Sequence, residues 1–176
     1  MGNFRHWVYV VLCACAGRVD GVDAHPPLAR GERVLAGALD AAGAPVVATT
    51  EAIYLGAPAW RRLGWVELAG VSWEPGRGIL RLVGSAGNEA YQVRLERSAR
   101  PRLVALVKEL FGASVVISAP VSLDGGRTAA VTARRVPGSR EVTWMVRLHD
   151  RADADDPDVR RRVAATIRHL RAETGL

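Results

Sequence analysis

The chain has 176 residues, 49% of them hydrophobic and 24% charged. That length and usage suit one folded domain with a full apolar core, and they exclude a disordered or a membrane-spanning chain. The formal net charge is +6 and the pI about 10.3, and of the 24 basic residues all but Lys108 are arginine. In a chain also rich in Ala, Gly and Val this skew reads as GC-rich coding, so a basic pI alone is no argument for a nucleic-acid partner.

Residues 1–27 read as a tail and linker ahead of a single domain over 28–176. The apolar run from Val8 to Cys15 is far shorter than the roughly 20 residues a bilayer-spanning helix needs. Three readings stay open for it: a short signal segment, a membrane-touching tail, or upstream sequence included by a misplaced start codon. Leu12-Cys13-Ala14-Cys15 resembles a bacterial lipobox, which makes Cys15 the candidate for lipid attachment, although Cys13 departs from the small or branched residue usual at its position. Both cysteines of the chain lie here, so no disulfide can staple the body. Nothing fixes a tetrahedral metal site around them, the nearest histidines being His6 and His25. Residues 19–31, with Asp20, Asp23, Pro26, Pro27 and Gly31, read as a turn-rich linker.

From Gly31 the pattern is one of short strands. A strand is expected over residues 33–39 and a turn over 40–44, while 46–55 is either one long strand or a tight hairpin turning at Thr50-Glu51. Residues 64–73 read as the next strand, with Val66, Leu68 and Gly70 on one face and Trp65, Glu67, Ala69 and Val71 on the other. A turn at residues 74–78 follows. Residues 79–83 and 90–96 read as a hairpin, with Tyr91, Val93 and Leu95 toward the core and Gln92 and Arg94 outward. A helix is expected to open at Pro101, to present Leu103, Leu106, Val107 and Leu110 on one face and to stop at Gly112. A second meander over 115–123, 128–136 and 141–149 turns at Asp124-Gly125-Gly126 and at Pro137-Gly138-Ser139. The last element has the clearest start, with Asp156 as N-cap, Pro157 in the first turn and Asp158 beside it. It should run to about Thr174 and end at Gly175, burying Val159, Val163, Ile167 and Leu170 and exposing Arg160, Arg161, Arg168 and Arg171.

The order of Glu32-Arg33-Val34-Leu35, Val47-Ala48-Thr49-Thr50 leading into Ile53-Tyr54-Leu55, Trp65-Val66-Glu67-Leu68, Ile79-Leu80-Arg81-Leu82 and the Tyr91 strand resembles the bacterial pleckstrin-homology-like (PH-like) and GRAM-type pattern. It covers about residues 30 to 112. The whole body is similar to uncharacterised PH-like proteins of high-GC Gram-positive bacteria, in which an Arg134-Arg135 strand, a later Trp strand and an Asp-Pro-Asp-Val helix start recur. The resemblance implies an α+β fold, mainly antiparallel: a curved sheet or partly open barrel of about seven to eight strands, with a mid-chain and a C-terminal helix. An ordinary PH domain has one terminal helix, so the second helix and the extra meander are departures. Many PH domains bind phosphoinositides through basic residues in the loop after the first strand. Here residues 40–45 hold neither Lys nor Arg, so that activity does not carry over.

Arg61, Arg62 and Arg77, expected on loops flanking the Trp65 strand, are the better candidates for an anion contact, because a guanidinium fork pairs bidentately with phosphate or carboxylate. Solvated surface arginine is the competing reading. His149 with Asp150, and the run Asp153, Asp155 and Asp156, read as loop and helix cap rather than as a base or cation site. His169 reads as exposed. No serine sits in a nucleophile elbow, and no Gly-rich phosphate loop precedes a helix, so neither catalytic residues nor a cofactor or metal site is assigned. Trp60 beside Arg61 and Arg62 is the one local hint of nucleic-acid contact and equally suits a plug at a sheet edge. The expected function is a non-enzymatic interaction module binding a protein partner in the cytoplasm, with at most weak anionic membrane contact and no nucleic acid. The alternative is a peripheral membrane protein or lipoprotein held by its tail.

Overall fold

A computed structural model describes residues 25–56, 59–85, 89–97, 100–136, 139–149 and 152–176. The tail with Cys13 and Cys15, the turn residues Pro137 and Gly138, and Asp150 lie outside the described residues. The fold is mainly antiparallel β with two helices, one mid-chain and one C-terminal.

Strands β1 (Val34–Leu39), β2 (Pro45–Thr49), β3 (Ala52–Leu55) and β4 (Arg61–Gly64) form a four-stranded meander. The 46–55 run is therefore a hairpin turning at Thr50-Glu51, and Thr49 explains it: its Oγ1 accepts the N–H of Glu51 at 3.2 Å and of Ala52 at 2.9 Å, a side-chain alternative to continuing the ladder. Strands β5 (Leu68–Glu74), β6 (Ile79–Gly84) and β7 (Ala90–Arg94) form a second sheet. Ten strands among the described residues replace the expected seven to eight, because the hairpin splits one segment and Arg61–Gly64 pairs as β4 and not as a loop.

Between β4 and β5 the expected alternation over residues 64–73 fails. Trp65–Glu67 forms a 3-10 turn, which places Trp65 and Leu68 on the same side; both are fully buried. Glu67 Oε2 accepts the Gly64 N–H at 2.8 Å and fixes the corner. Trp65 fills the wedge, its Nε1 donating to Thr49 O at 3.1 Å. At the other seam Asp40 bridges Leu95, with Ala41 N–H donating to Arg94 O at 2.7 Å and Glu96 N–H to Leu39 O at 3.0 Å. The sheets meet at these two seams without closing into a barrel.

Helix α1 (Arg100–Ala113) covers the core between these sheets with Leu103, Val104 and Val107. It runs past Gly112, where a stop was expected, and ends at Ser114, whose Oγ donates to Phe111 O at 2.7 Å. Strands β8 (Val115–Ser122), β9 (Thr128–Arg134) and β10 (Thr143–Leu148) make a third sheet in the order β10-β9-β8. One face, with Val121, Leu123, Ala129 and Val131, packs on α2 (Pro157–Thr174) as a second core.

Helix α2 begins as expected. Asp156 accepts the Asp158 N–H at 2.9 Å, and Gly175 ends the helix at φ 68°, a left-handed conformation glycine adopts without strain. The expected stripe faces the sheet, Val159 and Leu170 buried, Val163 and Ile167 half-buried, with Arg160, Arg161, Arg168 and Arg171 exposed. Urea denaturation should therefore rank Leu170→Ala at about 2 to 4 kcal/mol, Val163→Ala below it, and Arg161→Ala under about 1. A larger loss from Arg161→Ala than from Leu170→Ala would mean that the basic face holds the helix.

Candidate functional site

The three arginines singled out in the sequence do not converge. Arg61 and Arg62, adjacent on β4 rather than on a loop, point to opposite sides of the strand. Arg61 Nη1 donates to Tyr91 Oη at 3.1 Å, and its guanidinium carbon stands 5.2 Å from that ring's centre. Arg62 reaches Glu51 Oε2 at 3.5 Å and Glu32 Oε2 at 3.9 Å. Arg77, in the β5–β6 turn, lies 3.8 Å from Glu74 and is largely exposed. Trp60 packs edge-on against Tyr54 at 6.2 Å, capping the outer side of the first sheet.

Glu32 shows why Arg62 is occupied. Its carboxylate is wholly covered, yet Oε1 accepts the Thr49 hydroxyl at 2.5 Å, and Oε2 accepts the Tyr54 hydroxyl and the Ala29 N–H, each at 2.9 Å. Burial alone would push this carboxyl up; the hydrogen bonds from Thr49, Ala29 and Tyr54, with Arg62 beside them, outweigh it and hold the group below the usual value of 4.5. The same network ties the segment before β1 to the sheet, since Tyr54 Oη also lies 3.2 Å from Pro27 O.

The acidic run is spent on local structure. Asp153 accepts the Asp155 N–H, Asp155 pairs with Arg160, and Asp156 caps α2 with Arg127 at 3.7 Å. His169 is exposed beside Glu173. Among the described residues no group of three or more His, Cys, Asp or Glu side chains could hold a metal ion.

A concavity lies elsewhere, between the outer side of the second sheet and the face of the third sheet turned away from α2. It is a half-open cleft of about 930 Å³. Period-two alternation puts Ala130, Thr132 and Arg134 of β9 and Thr143, Met145, Arg147 and His149 of the β10 segment on this face, opposite Gly70, Val83 and Ser85. Among the described residues its lining holds two arginines, a histidine and several hydroxyls, and not one carboxylate.

Arg134 is 5% exposed. Nη1 donates to Ser114 Oγ at 2.7 Å and to Phe111 O at 3.3 Å, at the negative end of α1, and the guanidinium carbon sits 4.2 Å from the Phe111 ring centre. Nε has no acceptor among the described residues. Burial, with the Arg147 charge added to it, lowers the affinity of Arg134 for its proton. Arg147 Nη2 spans the cleft to donate to Ala69 O on the second sheet. Neither arginine was a candidate from sequence. Alternation gives the face each occupies, but the wall opposite comes from the second sheet, far earlier in the chain, and no local pattern records it.

Comparison with family models, with curated proteins and with solved structures finds no match for this chain. Among the described residues no helix is long and apolar enough to cross a membrane.

The Glu32 network has a pH signature. A carboxyl whose folded pKa is depressed contributes stability in full above its unfolded value and loses it as pH falls through the folded value. Glu32→Gln should thus cost on the order of 1 to 3 kcal/mol at neutral pH. The gap from wild type should stay constant down to about pH 4.5 and shrink below it. A gap that widens on acidification would show that the buried group is held protonated.

Proposed function

We propose that this chain is a non-enzymatic interaction module that binds a protein partner by strand addition at β10. The observation that carries the reading is the contrast between the two edges of the third sheet. The His149 N–H donates to Thr128 O at 2.9 Å, so the odd-numbered residues of β10 pair with β9 and the backbone groups of Trp144, Val146 and Leu148 point outward. On β8 the Leu123 N–H donates to Arg127 O, which turns residue 120 outward; that residue is proline and offers no donor. One edge is blunted in the manner natural sheets use against pairing, and the other is open among the described residues, with Val146 44% exposed.

The fold supports the reading by analogy. Four strands, a corner at Trp65, three strands and a covering helix favour a PH-like assignment for the first half of the body, and such folds serve as scaffolds for many kinds of recognition. The third sheet with α2 is then an addition that carries the binding edge. We place the module in the cytoplasm, where a body without cysteine needs no disulfide. Attraction to anionic membranes from a net charge of +6 is weak and screened by salt in this reading.

A photo-crosslinking residue at exposed Thr143 should yield a discrete protein adduct in cells, whereas the same residue at Arg160 on the outer side of α2 should not. Val146→Pro removes only an outward N–H, so it should abolish the adduct while leaving the melting temperature of the purified chain nearly unchanged. An adduct indifferent to the proline, or identical from both positions, would sink strand addition at this edge.

A further inference from the structure

We propose that the cleft between the second and third sheets binds a small organic oxyanion, a carboxylate or phosphate on an apolar body, with Arg134 and Arg147 as its charge partners. The cleft shares β10 with the edge proposal but uses side chains on one face of that strand and not its outward backbone groups, so it does not rest on strand addition.

Arg134 carries the inference. A guanidinium stays charged across the physiological range, and a buried charge is normally paired with an opposite one. Every acceptor Arg134 has among the described residues is neutral: a hydroxyl, a helix-terminal carbonyl and a ring face. These explain why the side chain lies where it does, and they leave its charge uncancelled and Nε unsatisfied. A second guanidinium, Arg147, stands close enough to act on it electrostatically and is itself held by a single neutral carbonyl. Arg134 is buried and Arg147 is exposed at the cleft, with no carboxylate among the described lining residues, so the two like charges repel each other until an anion enters between them.

Two other groups of arginines provide the contrast. Arg62, Arg77, Arg127, Arg160, Arg161 and Arg162 stand beside carboxylates, and others, such as Arg81 and Arg168, are exposed to water that screens their charge. Arg134 has neither solution: it is buried and has no acid among the described residues, which marks a place for a counter-ion from outside.

The rest of the lining describes the ligand. Ser118 and Thr132 hydroxyls lie 3.0 Å apart, able to accept or donate to a polar substituent. Val83, Phe111 and Met145 supply apolar surface beside the charges. A volume of about 930 Å³ lies within the range of pockets that hold metabolite-sized molecules, roughly 300 to 1,000 Å³. Both carboxylate and phosphate match the fork of a guanidinium, so the two sources are separated by experiment.

The test is isothermal titration of the full chain, at fixed ionic strength, with phenyl phosphate, benzoate and neutral benzyl alcohol. Saturable one-to-one binding of phenyl phosphate, of benzoate or of both, with none of the alcohol, supports the site and names its anion. Arg147→Gln should weaken that binding tenfold or more, and Arg161→Gln should leave it unchanged. Because Arg134 also closes α1, Arg134→Gln is read only alongside its circular dichroism, and Arg147→Gln decides. Absence of saturable binding by both anions, equal binding of the alcohol, or full affinity in Arg147→Gln would each overturn the proposal.

Discussion

The body depends on the corner at Trp65. A chain leaving one sheet and entering another must bend sharply without exposing the core between them, and the 3-10 turn does this by placing Trp65 and Leu68 inward on consecutive layers. The indole is then pinned to Thr49 O, at the end of β2. Thr49 is held in turn by Glu32, while its hydroxyl shapes the turn into β3. One threonine thus connects the entry segment, the first hairpin and the corner. Each of these contacts is polar and buried, where a satisfied hydrogen bond specifies geometry more sharply than apolar packing alone.

A second junction ties the added sheet to the rest. Helix α1 ends where β8 begins, so its free carbonyls would face the third sheet without partners. Ser114 and Arg134 meet them, and Arg135 N–H donates back to Ser114 O at 2.8 Å. Neutral capping groups would satisfy a helix end equally well. An arginine brings more than the cap requires, a full charge carried into a recess, and that surplus separates a structural explanation of Arg134 from a complete one.

Much of the architecture was legible in the residues. Asp156-Pro157-Asp158 marks the start of α2 to the residue, because N-cap chemistry is local. The Tyr91, Val93 and Leu95 alternation is borne out by the burial of Val93 and Leu95 and by Tyr91 packing at the core's margin. Errors arose where a short-range pattern had two solutions. Trp65 and Leu68 were put on opposite faces because a strand period was applied across a helical turn. Arg61–Gly64 shows no apolar alternation, so its pairing with β3 had no signature. Gly112 looked like a stop, yet the helix end is decided by Ser114 and by Arg134 from another strand.

Arg61 and Arg62 near Trp65 are adjacent in sequence, yet on a strand adjacency means opposite faces, and each finds its own partner. Arg134 and Arg147 are remote in sequence and share a face, because their strands pair antiparallel with Arg134 opposite Thr143 and Arg147 opposite Ala130. A net charge of +6 therefore says little about where the protein is electropositive. The field that a ligand would meet is set by which guanidiniums lack a carboxylate, and how far each is removed from water fixes how strongly that charge is felt. By both measures Arg134 outranks Arg160 and Arg161, which are exposed and share their charge with Asp155 and Asp158.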